Sequence, residues 1–445
     1  MALGGGTWLF QNKVLPGAYM NFKSKDRPIV DFADRGYAAI PVELDWGPTG
    51  EIFTVDQADF QTDSMAIFGY DYTHDNLKPL RDMFLNLKTG HFYRLNSSAV
   101  KATSAIATAK YGGVRGNDIL NIINENLDDS TMFDVITYIG TTKVDQQTVT
   151  SMADITDNDY VVFNKTYTLA PTAGTPLTGG SNGTAVTGTD HQNFLDMAEQ
   201  KYFNILACPS TDATIKSLYI AYTRRMRDDV GLKFQVAVYS VDGADYEGVI
   251  SILNSVTDEG ASPASLVYWV TGAEASCAIN ASLTNATYTG EYTIDVNLKQ
   301  SELSKYLQLG YLVFHGVGSR VDGEYIESVR VLSDVNTFTS FIVEKNSDFA
   351  NNQVIRVLDQ IAIDIASLFN NSFLGKVGNT EIGRASLKSN IIYHHKELER
   401  IQALQNFNGD DVIVEKGLEK GAVLVTDPVE PVGVMDKLYM QVIVA

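Results

Sequence analysis

Three short motifs in the sequence contain residue types that could take part in catalysis or ligand binding. Residues 179–183, Gly-Gly-Ser-Asn-Gly, match the G-x-S-x-G pattern of a nucleophile elbow, in which a serine attacks an acyl carbon. His394 and His395 lie next to each other, and imidazoles are common metal ligands. Residues 316–318, Gly-Val-Gly, begin like the phosphate-binding loop of a dinucleotide-binding protein.

None of these motifs has the structural context that its chemistry requires. A nucleophile elbow needs an apolar strand before the serine and a helix after it, but threonine-rich segments flank residues 179–183. The histidine pair lacks the H-E-x-x-H spacing, and His395 and Glu399 are one helical turn apart, which predicts an exposed, paired helix face. The glycine pair lacks a third glycine, and a strand follows it. We therefore predict that the protein is not an enzyme and has no catalytic residue, cofactor or metal.

Composition and charge exclude several further classes of protein. The 445 residues are 44% hydrophobic and carry a formal net charge of −20, so we expect no nucleic-acid partner, because phosphate binding needs clustered cations. The basic run 224–227 is followed at once by Asp228 and Asp229, which predicts a solvated helix end with paired charges. No segment approaches the roughly 18 consecutive apolar residues of a membrane span, so we expect no membrane insertion.

Cysteines and the first residues bear on where the protein is made. Cys208 and Cys277 both lie in apolar contexts, which predicts buried, reduced thiols and cytoplasmic synthesis. The first residues lack the basic region, the long apolar core and the cleavage site of a signal peptide.

The pattern along the chain predicts a mixed α/β (α+β), multidomain fold. A discontinuous α/β core domain, residues 23–96 and 190–345, is interrupted by an inserted β-sandwich-like module with a Gly/Thr-rich linker, residues 97–189. A C-terminal α+β domain, residues 346–427, follows. The predicted core strands cover residues 37–43, 92–95, 202–207, 234–239 and 311–314, and the predicted core helices cover 75–88, 212–227, 263–279 and 301–309. Two long helices, about 351–370 and 386–405, and short strands at 412–414 and 422–425 are predicted for the last domain.

Extended strand arms are predicted at both termini, residues 1–22 and 428–445. The last residues alternate at period two with apolar side chains on both faces, so this strand needs a sheet or a partner on each side. Pro428, Pro431 and Gly433 precede it and predict a stiff, extended spacer. The alternatives are ordinary edge strands and strands lent to neighbouring copies. The proposed arm residues are Trp8, Leu9, Phe10, Val14, Tyr19, Met20, Phe22, Leu438, Tyr439, Met440, Gln441, Val442, Ile443 and Val444.

Four segments carry a resemblance that extends over the whole chain. They are the first 22 residues with Gly4-Gly-Gly-Thr7, residues 41–48 (Pro-Val-Glu-Leu-Asp-Trp-Gly-Pro), residues 107–119, and residues 175–184. Together they resemble the contractile tail sheath proteins of phages and phage-tail-like bacteriocins, particularly the type found in Gram-positive bacteria.

This resemblance implies a structural protein. Family members form six-membered rings that stack into a helical sheath around an inner tail tube, and contraction drives the tube through a target envelope. Their terminal arms lend strands to neighbouring subunits, and a baseplate and a tail terminator close the ends. The resemblance implies synthesis in the bacterial cytoplasm and assembly in a virion or bacteriocin tail. It also suggests a tube-facing helix, with Lys388, His394, His395, Lys396, Glu399 and Arg400 as candidate contacts. The alternative is a secreted or surface adhesion protein, for which a signal sequence is lacking.

Overall fold

The structure, a computed structural model, describes residues 32–321 and 324–444, and it gives only the backbone for residues 319–321 and 324–327. The strands are β1 Tyr37–Val42, β2 Ile52–Asp56, β3 Thr89–Arg94, β4 Lys101–Thr103, β5 Ala107–Gly112, β6 Ile119–Glu125, β7 Phe133–Ile139, β8 Thr142–Val149, β9 Val161–Phe163, β10 Thr172–Pro176, β11 Ile205–Cys208, β12 Gln235–Tyr239, β13 Val249–Ile252, β14 Tyr311–Leu312, β15 Phe314–Val321, β16 Glu324–Val331, β17 Ile413–Lys416 and β18 Val423–Thr426. The helices are α1 Gln57–Thr62, α2 Ser64–Phe68, α3 Lys78–Phe84, α4 Gly188–Ala198, α5 Ala213–Arg225, α6 Leu266–Ser276, α7 Gln300–Gln308, α8 Asn352–Leu368 and α9 Glu381–Arg400. Helices α5 and α8 continue into π turns at Met226–Val230 and Phe369–Phe373.

The centre of the molecule is a seven-stranded sheet in the order β14-β13-β12-β11-β1-β3-β2. All its strands are parallel except β2, which pairs antiparallel with β3. Successive side chains of a strand point to opposite faces of a sheet. Ile40 and Phe92 therefore contribute to one core, together with α3 and α6, while Ala39 and Leu206 contribute to the other core, with α4 and α5. The result is a three-layer α/β unit whose strands come from both sides of residues 97–182.

Residues 97–182 form a β-sandwich that is inserted in the sequence between β3 and β11 of the central sheet. One sheet has the order β10-β6-β7-β8 and the other the order β4-β5-β9. Both sheets contribute to one core, in which Ile123 and Val135 of the first sheet join Ala109 and Val161 of the second. The predicted Gly/Thr-rich linker is in part this sandwich, because Thr172–Pro176 pairs with β6 and Ser181 pairs with Val100. The prediction of a free linker there is wrong.

The C-terminal unit consists of α8, α9 and the two-stranded sheet β17–β18. Helix α8 also packs against the central layer through charged side chains. Arg227, in the π turn after α5, donates to Asp359 at 2.6 Å and 2.8 Å, and its side chain is 5% exposed. The predicted solvated helix end is therefore wrong at Arg227, because Asp359, far away in sequence, neutralises the guanidinium.

The remaining sequence predictions about fold class and thiols agree with the structure. The chain has a mixed α/β, multidomain architecture with an inserted β-sandwich and a C-terminal α+β unit. Cys208 and Cys277 are both buried and free, and burial raises the pKa of each thiol to about 12. Among the described residues, each helix is too short or too polar to cross a bilayer.

Candidate assembly surfaces

The terminal segment, residues 435–444, presents a run of exposed apolar side chains. Six large apolar side chains of this segment, Leu438, Tyr439, Met440, Val442, Ile443 and Val444, are each at least 71% exposed. The segment belongs to none of the sheets formed by the described residues. Both of its faces are therefore exposed in the single chain, and burying them requires another molecule or another part of the chain.

A base segment, residues 427–434, connects this terminal segment to the C-terminal unit. The backbone N–H of Gln405 donates to the carbonyl of Glu430 at 3.0 Å, and that of Val432 donates to the carbonyl of Ala403 at 3.0 Å. The side chain of Gln353 bonds both the carbonyl of Val432 and the N–H of Val434. Hydrogen bonds from Asn406 and Gln405 lower the pKa of the Glu430 carboxyl. The sequence predicted a spacer from residue 428 onward, but residues 427–434 are bound to the body.

The C-terminal hairpin, β17 and β18, is a second exposed apolar surface. Its strands pair antiparallel from Ile413↔Thr426 to Lys416↔Val423, and each strand has no further partner among the described residues. Val414 and Val423 pack against the helices, whereas Ile413 and Leu424 are 49% and 58% exposed. An unpaired strand edge with exposed apolar side chains is a template for strand addition.

An apolar pocket of about 480 Å³ adjoins this hairpin. It lies between the end of α8, the start of α9 and β18, and Arg384 and Lys420 also line it. Its apolar lining comes from Phe369, Phe373, Leu374, Val377, Leu387 and Val423. Leu374, which is 59% exposed, and Val423 on the packed face of the hairpin both line this pocket.

Helix α9 presents a different set of residues from the one the sequence suggested. Lys396 and Arg400 are exposed, and Lys388 and Glu399 are half-buried. His394 and His395 are fully buried, so the prediction of an exposed histidine pair is wrong, and these two cannot be surface contacts of the folded chain. The physical reason is the helical period, because the buried stripe of α9 runs through Leu387, Ile391 and Leu398 and takes in both histidines.

The proposed N-terminal arm residues lie outside the described residues.

Two of the motifs that could suggest catalysis or ligand binding are instead parts of paired strands. Ser181 forms a bridge with Val100 of the sandwich, and Gly318 lies within the β15–β16 hairpin. The chain from 32 to 321 and from 324 to 444 contains no group of three or more His, Cys, Asp or Glu side chains arranged to hold a metal ion.

Family models of the phage tail sheath match the chain in four consecutive segments. The matches are the N-terminal region of tail sheath domain III over residues 35–91, the β-sandwich domain over 97–182, the central domain over 184–337, and the C-terminal domain over 344–445. The third of these segments carries the β11–β14 half of the central sheet, and the last carries the hairpin, the pocket and the terminal segment.

Individual proteins give the same result. The chain is 30% identical to the phage-like element PBSX protein XkdK of Bacillus subtilis, over 99% of both chains. It is 36% identical to the sheath tail protein of Desulfitobacterium hafniense, with a TM-score of 0.80 over 93% of this chain and 96% of that one. The contracted helical sheath of the anti-feeding prophage shares the fold at 13% identity, with a TM-score of 0.55 over 96% of this chain and 99% of that one. This chain belongs to the phage tail sheath protein family.

Proposed function

We propose that this chain is the structural subunit of a contractile sheath, which forms stacked six-membered rings around an inner tail tube and contracts to drive the tube through a target envelope. The single observation that carries this proposal is the terminal segment, whose six large apolar side chains are each at least 71% exposed. The shared fold with a protein solved as a contracted helical sheath supports it. In such a particle the sheath would meet the tube along its inner surface and a baseplate and a tail terminator at its ends.

The terminal segment would act by pairing with the C-terminal hairpin of a neighbouring copy. Backbone hydrogen bonds contribute a net ~0.5–1.5 kcal/mol each, which the ordering entropy of ~1–2 kcal/mol per residue largely offsets. Burial of apolar side chains at ~1.5–3 kcal/mol each therefore decides whether the strand binds. Both partners supply such side chains. Leu438 and Val442 lie on one face of the segment, and Leu424 is exposed on the hairpin.

Several links per subunit would keep the polymer connected while subunits rotate. Each subunit would offer one terminal segment and one hairpin, so exchange along a row of subunits would link each subunit to two neighbours, and no single link has to be strong. Residues 435–437 connect the bound base segment to the first apolar residue of the strand. This short connection would absorb the rotation while the strand stays paired.

The exposed face of α9 is the candidate for contact with the inner tube. Lys388, Lys396, Glu399 and Arg400 remain candidates, with Lys396 and Arg400 the most exposed. On a subunit with a net charge of −20, Lys388, Lys396 and Arg400 bring positive charge to this face, and Glu399 and Glu397, the partner of Arg400, bring negative charge. An acidic surface on the tube would complement the three cations.

We also propose that the protein acts by assembly alone, with no catalytic role, and that it works in a phage or phage-like particle. Family membership favours this over the alternative of a surface adhesion protein.

The test is removal of residues 435–445, followed by negative-stain electron microscopy. The truncated protein should remain folded and soluble and should not form tubes.

A substitution series controls for the general loss of surface hydrophobicity. Leu438→Lys combined with Val442→Lys places two charges on one face of the terminal segment. Leu127→Lys is the matched control, because Leu127 is 100% exposed in the β-sandwich. The double variant should not polymerise, and the control should. Full-length tubes from the truncated protein would contradict the proposal.

A further inference from the structure

A loop just before α8 exposes three consecutive apolar side chains. Phe341, Ile342 and Val343 are 52%, 57% and 97% exposed. They belong to none of the apolar cores that the described residues form. Glu344 follows them, and its exposed carboxylate forms no ion pair or hydrogen bond within the described part of the chain. Contiguous exposed apolar side chains are a feature of interaction sites.

The fold holds this loop in one shape. Asp245 Oδ1 accepts from the backbone N–H of Thr339 at 2.8 Å and from that of Ser340 at 2.9 Å, which fixes the start of the loop. The N–H of Ile342 donates to the carbonyl of Lys345 at 2.9 Å, which closes the tip. A loop that is ordered before it binds loses little conformational entropy on docking.

The pocket at the end of α8 has a matching character. Besides its six apolar side chains it is lined by Arg384 and Lys420. Arg384 Nη1 donates to the backbone and side-chain oxygens of Asn379, at 3.3 Å and 3.0 Å, and Lys420 is exposed. Within the described ranges neither cation forms an ion pair, and Glu381 and Glu419, which are close to them in sequence, do not line the pocket. The pocket therefore suits an apolar group with a negative charge at its edge.

The loop and the pocket lie at opposite ends of α8. Lys345 holds the loop near the start of the helix, because its ammonium lies 2.5 Å from the Glu247 carboxylate and 5.8 Å from the centre of the Phe349 ring. Helix α8 has 17 residues, so it separates the two features by roughly 26 Å at about 1.5 Å per residue. The loop of one chain does not reach the pocket of the same chain, and that pocket is open to the loop of another copy.

The terminal segment is the other exposed apolar element that a neighbouring copy could offer to the pocket. Residues 438–444 are apolar but contain no acidic side chain, so they would leave Arg384 and Lys420 without a partner. The loop supplies both the apolar side chains and the carboxylate.

We propose that residues 341–344 of one copy dock in the pocket at the end of α8 of a second copy. The apolar side chains would pack against the pocket lining, and Glu344 would pair with Arg384 and Lys420 at its edge. Two different surfaces meet in such a contact, so it links copies head to tail. The contact rests on the proposed function in that copies of this chain assemble, but it does not use the terminal segment.

The test is chemical crosslinking of the full chain under assembly conditions. Val343→Cys combined with Leu374→Cys places one thiol on the loop and one at the pocket, both at exposed positions. A short bismaleimide crosslinker should then give a ladder of covalent dimers, trimers and larger oligomers on a denaturing gel. The unmodified chain should give no ladder, because Cys208 and Cys277 are buried.

Two further cysteine pairs serve as controls. Val343→Cys with Leu127→Cys joins the loop to a fully exposed site on the sandwich and should give no ladder. Val444→Cys with Leu374→Cys tests the terminal segment as the occupant. The absence of a ladder from Val343→Cys with Leu374→Cys would overturn the inference, and a ladder from the Val444 pair in its place would identify the terminal segment as the occupant. An equal ladder from the Leu127 pair would also overturn it, because crosslinking would then be non-specific.

A charge exchange tests the pairing of Glu344. Glu344→Lys and Lys420→Glu each bring like charges together, so each alone should slow assembly measured by light scattering, by about fivefold or more. An equal mixture of the two variants should return to within about twofold of the unmodified rate, because in an alternating polymer each loop meets a pocket residue of opposite charge. Single variants that assemble at the unmodified rate, or a mixture no faster than either variant alone, would contradict the contact.

Electron microscopy of the unmodified chain gives a separate readout of the proposed function. Tubes together with no ladder from Val343→Cys with Leu374→Cys would overturn the loop contact and leave the proposed function standing. A ladder without tubes would contradict the proposed function and support the contact. The absence of both would overturn both.

Discussion

Arg356 Nη2 lies 2.6 Å from Glu274 Oε2, and each of the two side chains is 1% exposed. The contact joins α8 of the C-terminal unit to α6 of the central layer. Asp334 Oδ2 is 3.3 Å from the same nitrogen, and Asn352 Nδ2 donates to Asp334 at 2.8 Å. The two units are thus joined by a buried ionic network as well as by apolar contacts.

Replacing Arg356 with Met should strongly destabilise the protein. The change leaves the buried Asp334 carboxylate without its cation and the Glu274 carboxyl group without its hydrogen-bond donor Arg356. Removal of one partner from such a network costs about 3–5 kcal/mol. The quantity to measure is the free energy of unfolding in urea. Arg400→Met is the control, because Arg400 is 68% exposed and pairs with Glu397, and such surface pairs contribute about 0–1 kcal/mol. Equal losses in the two variants would contradict a special role for the buried network.

The pH dependence of stability should report on Glu274. Burial, and then the neighbouring Asp334 carboxylate, raise the pKa of Glu274 from 4.5 to about 8. Between these two values the unfolded chain loses this proton and the folded chain keeps it, so this group lowers stability as pH rises, by ~1 kcal/mol per pH unit. The contribution is fully present below about pH 4.5 and lost by pH 8.

Glu274→Gln keeps the shape of the side chain and removes this proton equilibrium. The variant should gain stability relative to the unmodified chain as pH rises from 5 to 8, measured by urea unfolding at each pH. Glu259→Gln changes an exposed glutamate in the same way and should follow the unmodified chain. Parallel curves for Glu274→Gln and the unmodified chain over this range would show that Glu274 does not hold the extra proton.

Helix α9 shows how far the sequence predicts the site and where it stops. The helix itself is predictable from its pattern, with boundaries shifted from 386–405 to 381–400. The sequence also contains a signal for the burial of His394 and His395, because both lie three to four residues from Ile391 and Leu398 on the apolar stripe. The partners of the histidines were not predictable, because Asp364 and Asp427 reach them only through the packing of α8 and the path of the chain after β18.

Two strands of the β-sandwich that the sequence pattern does not predict share a physical cause. Thr142–Val149 is mostly polar and Thr172–Pro176 contains glycine and proline, yet both pair in the sandwich because a neighbouring strand satisfies their backbone. The terminal segment is the opposite case, with a strong alternating pattern and no sheet among the described residues. An alternating apolar pattern indicates that a segment needs a sheet to pair with. Tertiary or quaternary packing decides whether such a sheet is available.

Gly272 sets the distance between α3 and α6. A Cβ at this position would lie 2.2 Å from the carbonyl oxygen of Met83, so the helices would have to separate. Overpacking of this kind costs about 1–3 kcal/mol, which outweighs the gain of up to ~1 kcal/mol in helix propensity. Gly272→Ala should therefore lower the melting temperature. In Gly188→Ala, the nearest atom is 4.0 Å away, and that variant should melt at or above the unmodified value. A Gly272→Ala protein that melts no lower would mean that the two helices adjust freely.

The exposed face of the C-terminal hairpin should matter for assembly and not for folding. Leu424 is 58% exposed on β18, so Leu424→Lys should change the free energy of unfolding by no more than ~0.5 kcal/mol. Assembly followed by light scattering should nevertheless be slower and weaker, because a charge would be buried against the terminal segment of the neighbour. Leu127→Lys, on the sandwich, serves again as control. If Leu424→Lys assembles as fast as this control, the terminal segment binds elsewhere.

Net charge should control how readily the subunits meet. Each subunit carries −20, so approaching copies repel, and the Debye length falls from ~30 Å at 0.01 M salt to ~10 Å at 0.1 M. Assembly measured by light scattering should therefore accelerate as sodium chloride rises through this range, whereas the uncharged solute sucrose at equal osmolality should not reproduce the acceleration. Salt strengthens the burial of apolar surface only at much higher concentrations. An acceleration at or below 0.1 M therefore reports on the charge repulsion between subunits. Assembly that is indifferent to salt in this range would contradict the prediction that charge repulsion between subunits limits assembly.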